Sequence, residues 1–199
     1  MRILLIGASG DIGKVIHDEL SSRHDIIKVG RSSGDIKADI TDRESIEAMY
    51  QEAGKVDAVV SANGNVHFAP LDEFTEEQFV SSLLDKAMSQ INLVLVGMNY
   101  IADGGSFTLT SGILDRDPVK TGAAAAAANG ALDGFVIGAS IEMPRGLRLN
   151  VVSPGLLEVS ADRYGEYFPG HEPVSSKRVV LAYAKSVEGL LQGKIITVD

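Results

Sequence analysis

A doubly wound parallel α/β sheet of about six strands, with helices on both faces, is the fold this chain predicts. Three observations carry it. The apolar run Ile3-Leu4-Leu5-Ile6 ends in Gly7-Ala8-Ser9-Gly10-Asp11-Ile12-Gly13 and continues into the amphipathic segment Lys14-Val15-Ile16-His17-Asp18-Glu19-Leu20, which reads as strand, tight turn, helix. Strand-like and helix-like segments then alternate to the C-terminus, the pattern of parallel strands joined by crossovers. The length, 199 residues without a repeat, low-complexity stretch or linker, suits one domain over residues 1–199.

Each element has its own signal. Asp25-Ile26-Ile27-Lys28-Val29 is a second strand, closed by Gly30-Arg31-Ser32-Ser33-Gly34. Thr41-Asp42-Arg43-Glu44 is a capping box opening a helix that stops at Gly54. Val56-Asp57-Ala58-Val59-Val60-Ser61 is the next strand, and Thr75-Glu76-Glu77-Gln78 caps helical sequence running to about Tyr100. Gly104-Gly105 reads as a turn into the strand Ser106-Phe107-Thr108-Leu109-Thr110-Ser111. Residues 122–142 favour a helix through their alanines, with Leu132, Phe135, Val136 and Ala139 at helical spacing. A strand over residues 147–152, a helix over 175–191 and a last strand over 195–198 complete the chain. Only seven residues separate Arg31 from Asp39, whereas a parallel crossover takes a dozen or more. Ile36-Lys37-Ala38 is therefore expected as a loop or an edge stub, not a full strand.

Composition narrows the function. The net charge of -9 and the lack of a basic patch argue against nucleic acid. No apolar stretch approaches the ~20 residues of a membrane span, so no membrane role is expected. Met1-Arg2 and four apolar residues are too short for a signal-peptide core. The absence of cysteine excludes thiol chemistry and fits a cytoplasmic location. His17, His24, His67 and His171 are scattered without metal-ligand spacing, so no metal site is expected and His67 reads as a surface residue. No Gly-x-Ser-x-Gly elbow supports a hydrolase.

The glycine turn is the strongest functional signal. Glycine lets the backbone approach a ligand, and the following helix start offers unpaired N–H groups and the positive end of its dipole. Gly7, Ser9, Gly10, Asp11, Ile12 and Gly13 thus form a candidate phosphate cradle.

Taken with four further segments, this turn resembles the short-chain dehydrogenase/reductase family over nearly the whole chain. Gly7, Gly10 and Gly13 correspond to that family's glycine turn, in a three-three spacing. Asp39-Ile40 corresponds to its acidic-aliphatic pair at adenine. Ser61 with Ala62, Asn63 and Gly64 falls at its Asn-Asn-Ala-Gly strand end. Thr110-Ser111 closes the strand that presents its catalytic serine, and Ser153-Pro154-Gly155 matches its segment beside the nicotinamide. The resemblance implies a Rossmann-like fold, a bound dinucleotide, a small-molecule substrate, and a homodimer or homotetramer formed through the helices near residues 100 and 123–139. Arg31 stands where an acidic residue would hold the ribose hydroxyls of NAD. An arginine there suits the 2′-phosphate of NADP, with Ser32 adding a donor.

The family's Tyr-x-x-x-Lys motif is absent. Alignment of its helix puts Ala125 at the tyrosine and Asn129 at the lysine, and none of Tyr50, Tyr100, Tyr164, Tyr167 and Tyr183 has a lysine four residues later. A methyl group cannot protonate the carbonyl oxygen as hydride arrives, so little reduction of ordinary ketones and aldehydes is expected. Losing general acid catalysis forfeits ~10²–10⁴ in rate. Ser111 either holds a substrate oxygen or satisfies local backbone. Asp85 or Lys86 occupies the approximate place of the family's helix asparagine, and Lys86 reads as a solvated helix lysine. Residues 156–174 read as a partly aromatic lid. Two functions follow: an NADP(H)-dependent oxidoreductase with a non-standard site, or a catalytically silent NADP(H)-binding sensor or subunit.

Overall fold

The computed structural model describes residues 1–199. Its strands are β1 (Arg2–Ile6), β2 (Asp25–Gly30), β3 (Ile36–Lys37), β4 (Val56–Ser61), β5 (Ile101–Thr110), β6 (Arg148–Pro154) and β7 (Ile195–Val198). They form one sheet in the order β3-β2-β1-β4-β5-β6-β7, and every pairing is parallel. The expected Rossmann-like α/β architecture is present, with seven strands where about six were expected. The seventh is the two-residue β3, held at the sheet edge by Val29↔Ile36 and Gly30↔Lys37. No helix lies between β2 and β3, because the five residues that join them are too few to form one and return.

Helices α1 (Asp11–Leu20), α2 (Arg43–Ala53), α3 (Glu76–Ser82), α4 (Ser89–Gly97), α5 (Ala123–Ser140), α6 (Ala161–Tyr164) and α7 (Ser176–Glu188) connect the strands. Ile16 and Leu20 of α1 and Val179 and Tyr183 of α7 bury one sheet face. Met49 and Tyr50 of α2, Leu93 of α4 and Leu132 and Val136 of α5 bury the other. Asp42, not Thr41, caps α2, accepting the Glu44 N–H at 3.2 Å, so the expected capping box does not form there and the Thr41 hydroxyl donates to Asp39 instead. Thr75 and Gln78 close a full capping box on α3, two N–H groups being satisfied reciprocally.

Two further expectations are corrected. β5 begins at Ile101, five residues before Ser106, and pairs Val56↔Ile101 before its register shifts. Gly104-Gly105 therefore marks an irregularity within the strand. A Cβ on Gly105 would lie 2.6 Å from the Asp57 carbonyl oxygen and 2.7 Å from Ile101 Cγ1, so glycine lets the chain pass there. Residues 76–97 also form a continuous helical rod of 22 residues, whose most apolar 18-residue window has a mean hydropathy of 1.2, enough by length and composition to cross a membrane. In the sequence its polar residues mask that length. In the fold, Leu93, Val94 and Val96 pack into the core.

The middle of that rod is not α-helical. Leu83–Met88 is π-helical, and the wider turn re-aims the side chains it carries.

Candidate active site

A groove of about 780 Å³ and a cleft of about 510 Å³ meet at Gly64, Asn65 and Tyr164, which line both. They lie beyond the C-terminal ends of β1, β4, β5 and β6, where open parallel sheets bind ligands. The groove begins at α1. Gly10 caps that helix without a side-chain acceptor, leaving the first-turn N–H groups available to an anion. A Cβ on Gly10 would meet only the Gly7 carbonyl oxygen, at 3.4 Å, so the helix mouth is open.

The other two glycines are there for packing. Gly7 has φ +79°, and a Cβ there would lie 2.6 Å from the Ala62 carbonyl oxygen. A Cβ on the buried Gly13 would lie 2.1 Å from the Gly7 carbonyl oxygen. These contacts draw α1 onto the ends of β1 and β4.

Gly7, Ser9, Gly10, Asp11, Arg31 and Ile40 line the groove with Ala62, Asn63 and Gly64. Ser32 is exposed beside Arg31 and outside the groove wall. Asp39 also lies outside it. Its carboxylate accepts from the Thr41 N–H (3.0 Å), the Thr41 hydroxyl (2.7 Å) and Arg31 (3.1 Å). Those Thr41 bonds, helped by the Arg31 charge, hold the Asp39 carboxyl below its usual range. Arg31 remains 68% exposed, free to meet a second anion. An elongated groove with an open helix mouth at one point and an accessible arginine at another fits a dinucleotide.

Lys14, Thr41 and Arg163 also line the groove, though nothing in their local sequence singles them out. Arg163, from the lid, pairs with Asp11, and the Ser160 hydroxyl donates to the same carboxylate at 2.8 Å. The lid is thus tied to the first turn of α1. Within it Glu158 is structural, its carboxylate accepting the Ser176 N–H at 2.8 Å. Tyr164 and Phe168 line the cleft, whereas Tyr167 is exposed and does not.

The cleft brings together Ile12, Ser111, Ala125, Asn129, Pro154 and Gly155. Ser111 is fixed by its N–H donating to Val152 at 3.0 Å, while its buried hydroxyl has no partner. Asn129 is buried against Gly112, where a Cβ would lie 3.2 Å from its Nδ2, and its Oδ1 is unpartnered. Ala125 faces the same space with only its methyl group. His67 is exposed.

Lys86 corrects the expectation of a solvated side chain. It is half-buried in the cleft wall, and its stem packs under Gly64, where a Cβ would lie 2.7 Å from Lys86 Cγ. Burial pushes its ammonium down to about 8, against the opposing attraction of Asp115 and Asp133. Burial likewise pushes Asp133 up to about 6, and Asp115 beside it adds to that shift.

Gln90 locks this assembly. Its side chain accepts from the Thr110 N–H at 2.9 Å and donates to the carbonyls of Thr110 (2.9 Å), Lys86 (3.1 Å) and Asn63 (3.4 Å). It ties the ends of β4 and β5 to the π-helical turn. The sequence shows only that Ser82, Lys86 and Gln90 stand four residues apart, which does not distinguish them from the other polar residues of this helix.

A family model described as enoyl-(acyl carrier protein) reductase matches residues 14–188. The chain belongs to the short-chain dehydrogenase/reductase family. Among solved structures, the protein lin1944 from Listeria innocua is 48% identical, with a TM-score of 0.98 and full coverage of both chains. A small-chain dehydrogenase solved in complex with NADPH is 22% identical, with a TM-score of 0.88, over all of this chain and 96% of that one. Among curated relatives, the hydroxynaphthalene reductase-like protein Arp2 of Metarhizium brunneum is 28% identical over 85% of this chain and 74% of its own. The hydroxynaphthalene reductase arp2 of Aspergillus fumigatus is 31% identical over 74% of this chain and 57% of its own. These short-chain dehydrogenase/reductase relatives are named as reductases, and the resemblance here is to oxidoreductases.

Proposed function

We propose that this chain is an NADP(H)-dependent oxidoreductase that reduces a small carbonyl compound at a non-standard active site. The carrying observation is the continuity of the Arg31-bearing groove with a cleft holding the unpartnered hydroxyl of Ser111 beside Pro154-Gly155. The first turn of α1 holds the pyrophosphate, Arg31 the 2′-phosphate, and Ile40 and Ala62 flank the adenosine half. A bound NADPH supplies hydride; Ser111 donates a hydrogen bond to the substrate oxygen, and Tyr164 and Phe168 exclude water. The NADPH complex of the 22% identical dehydrogenase supports the cofactor choice. Fluorescence titration of the purified protein should show NADPH binding at least tenfold tighter than NADH, and Arg31→Asp should abolish or reverse that preference. Equal affinities in the unmodified protein would remove Arg31 from the phosphate role.

The second function, a silent NADP(H)-binding sensor or subunit, is favoured by one observation: Ala125 places a methyl group where the family has its tyrosine hydroxyl. NADPH binding without turnover over a wide carbonyl and alkene panel would establish it.

Self-association belongs to the same proposal. Val80, Leu84 and Met88 form an exposed apolar row along the 76–97 rod, with Leu95 exposed further on, Ile137 exposed on α5 and Ile141 exposed just past its end. Gly134 and Gly138 have open space where a Cβ would project, so another helix can approach closely. A row of this kind marks a contact surface, and a second copy is its occupant. Light scattering should show a dimer or tetramer, and Ile137→Glu should shift it toward monomer. A monomeric unmodified protein at micromolar concentration would reject the assembly.

A further inference from the structure

Lys86 is the one cation in the wall of the cleft that also holds Ser111 and Asn129. Its position is built by three features. The π-helical turn Leu83–Met88 displaces it from α-helical spacing. Gly64, at φ +142°, leaves room for its stem and no room for a side chain of its own. Gln90 holds its carbonyl oxygen at 3.1 Å. Asp115 follows β5, Asp133 lies on α5, and both carboxylates attract the ammonium; Arg116 is the further charge acting on Asp133. The same cleft is lined by the buried Ser111 hydroxyl and Asn129 amide, each with an unpartnered oxygen.

We propose that Lys86 is the proton donor of this site, in place of the absent tyrosine. The proposal rests on the NADP(H)-dependent reduction put forward above. As hydride from the dinucleotide adds to the carbonyl carbon, the C=O π pair moves onto oxygen. That oxygen takes one proton from the Lys86 ammonium. Lys86 is left as a neutral amine and recovers its proton from water. The balance is carbonyl plus NADPH plus one proton to alcohol plus NADP⁺. Ser111 supplies a hydrogen bond to the same oxygen, and Asp115 and Asp133 favour the charged amine from which the proton leaves. A donor near neutrality suits this step, since catalytic groups work best with a pKa close to the working pH. The lowered value of Lys86, about 8, meets that condition. On this proposal, carbonyl reduction in the presence of Ala125 and Asn129 depends on Lys86.

Two measurements on the full chain test this. In the first, trace acetic anhydride labels amines competitively across pH 6–11 with NADP⁺ present, and mass spectrometry follows the Lys86 peptide. Lys86 should titrate near pH 8, well before the exposed lysines; titration together with them overturns the proposal. In the second, NADPH binding is followed by fluorescence and reduction of 9,10-phenanthrenequinone by absorbance. The kcat of the unmodified protein should fall tenfold per pH unit above about pH 8, as the ammonium is lost. Lys86→Met should lower kcat ~10²–10⁴-fold while NADPH affinity and KM stay within twofold. Lys86→Arg keeps the charge but cannot release a proton near neutrality, so it should stay as slow as Lys86→Met. Rescue by arginine, or an unchanged kcat in Lys86→Met, overturns the proposal and leaves the oxidoreductase standing. NADPH binding without turnover of the quinone or of any member of a wide carbonyl and alkene panel overturns the proposal in favour of the silent binder. Absence of NADPH binding overturns the cofactor assignment and the proposal with it.

Discussion

Gly13→Ala is expected to lose NADPH binding and to melt about 5–10 °C below the unmodified protein. The added Cβ would stand 2.1 Å from the Gly7 carbonyl oxygen and 2.7 Å from Ala8 Cα. Both are backbone atoms, which cannot swing aside as a side-chain tip can. Relief requires α1 to lift from the turn, and overpacking of this kind costs ~1–3 kcal/mol, here toward the upper end. In a chain of this size each kcal/mol moves the midpoint by roughly 2–4 °C. Lifting α1 also carries its first-turn N–H groups away from the groove. Gly10→Ala is the matched control, because its Cβ meets only ordinary contact at 3.4 Å. It should keep the melting temperature within about 2 °C yet still weaken NADPH, since the methyl group stands in the open mouth of the helix. Calorimetry and fluorescence titration separate the two variants. A Gly13→Ala protein that melts normally and binds NADPH normally would show that the three-three glycine spacing is not a steric requirement.

Gln90→Leu is expected to be the most damaging substitution outside the glycine turn. Gln90 is fully buried, and its amide satisfies the Thr110 N–H and C=O together with the Lys86 carbonyl. Leucine fills a similar volume without a single polar atom. Each buried group left without a partner costs ~1–3 kcal/mol, so with partial relaxation the midpoint should fall by about 10 °C. Gln90→Glu keeps the acceptor for the Thr110 N–H but sets a buried carboxylate against the carbonyls of Thr110 and Lys86, so its melting temperature should fall at least as far at about pH 8 and partly recover at low pH as the carboxyl is protonated. Hydrogen exchange at Thr110 should accelerate in Gln90→Leu and stay slow in Gln90→Glu. Equal melting temperatures for all three proteins would mean that water replaces the amide.

What could be read in advance was whatever depends on neighbours in sequence. The strand–turn–helix of residues 2–20, the capped starts at Asp42 and Thr75, and the edge stub at Ile36–Lys37 all follow from propensity, capping chemistry or chain length. Family membership was legible for the same reason, since its markers are short runs at strand ends. The start of β5 was misjudged because Ile101 already pairs with Val56, while Gly104-Gly105, with Gly104 at φ +74°, bend the chain where the register shifts before Ser106.

The cleft was decided by tertiary structure. Lys86 has the sequence surroundings of a surface helix lysine. It becomes a half-buried cation only because a π-helical turn re-aims it beneath Gly64, 22 residues away, and because α5 brings Asp133 against the same cavity. Gln90 gives no sign in the sequence of the carbonyls it will bind, since two of them belong to strand ends that meet it only after the sheet has formed. Local sequence sets backbone conformation through short-range sterics and hydrogen bonds. Desolvation of a charge and pairing of buried polar groups depend on what other segments bring near, and only the folded chain determines them.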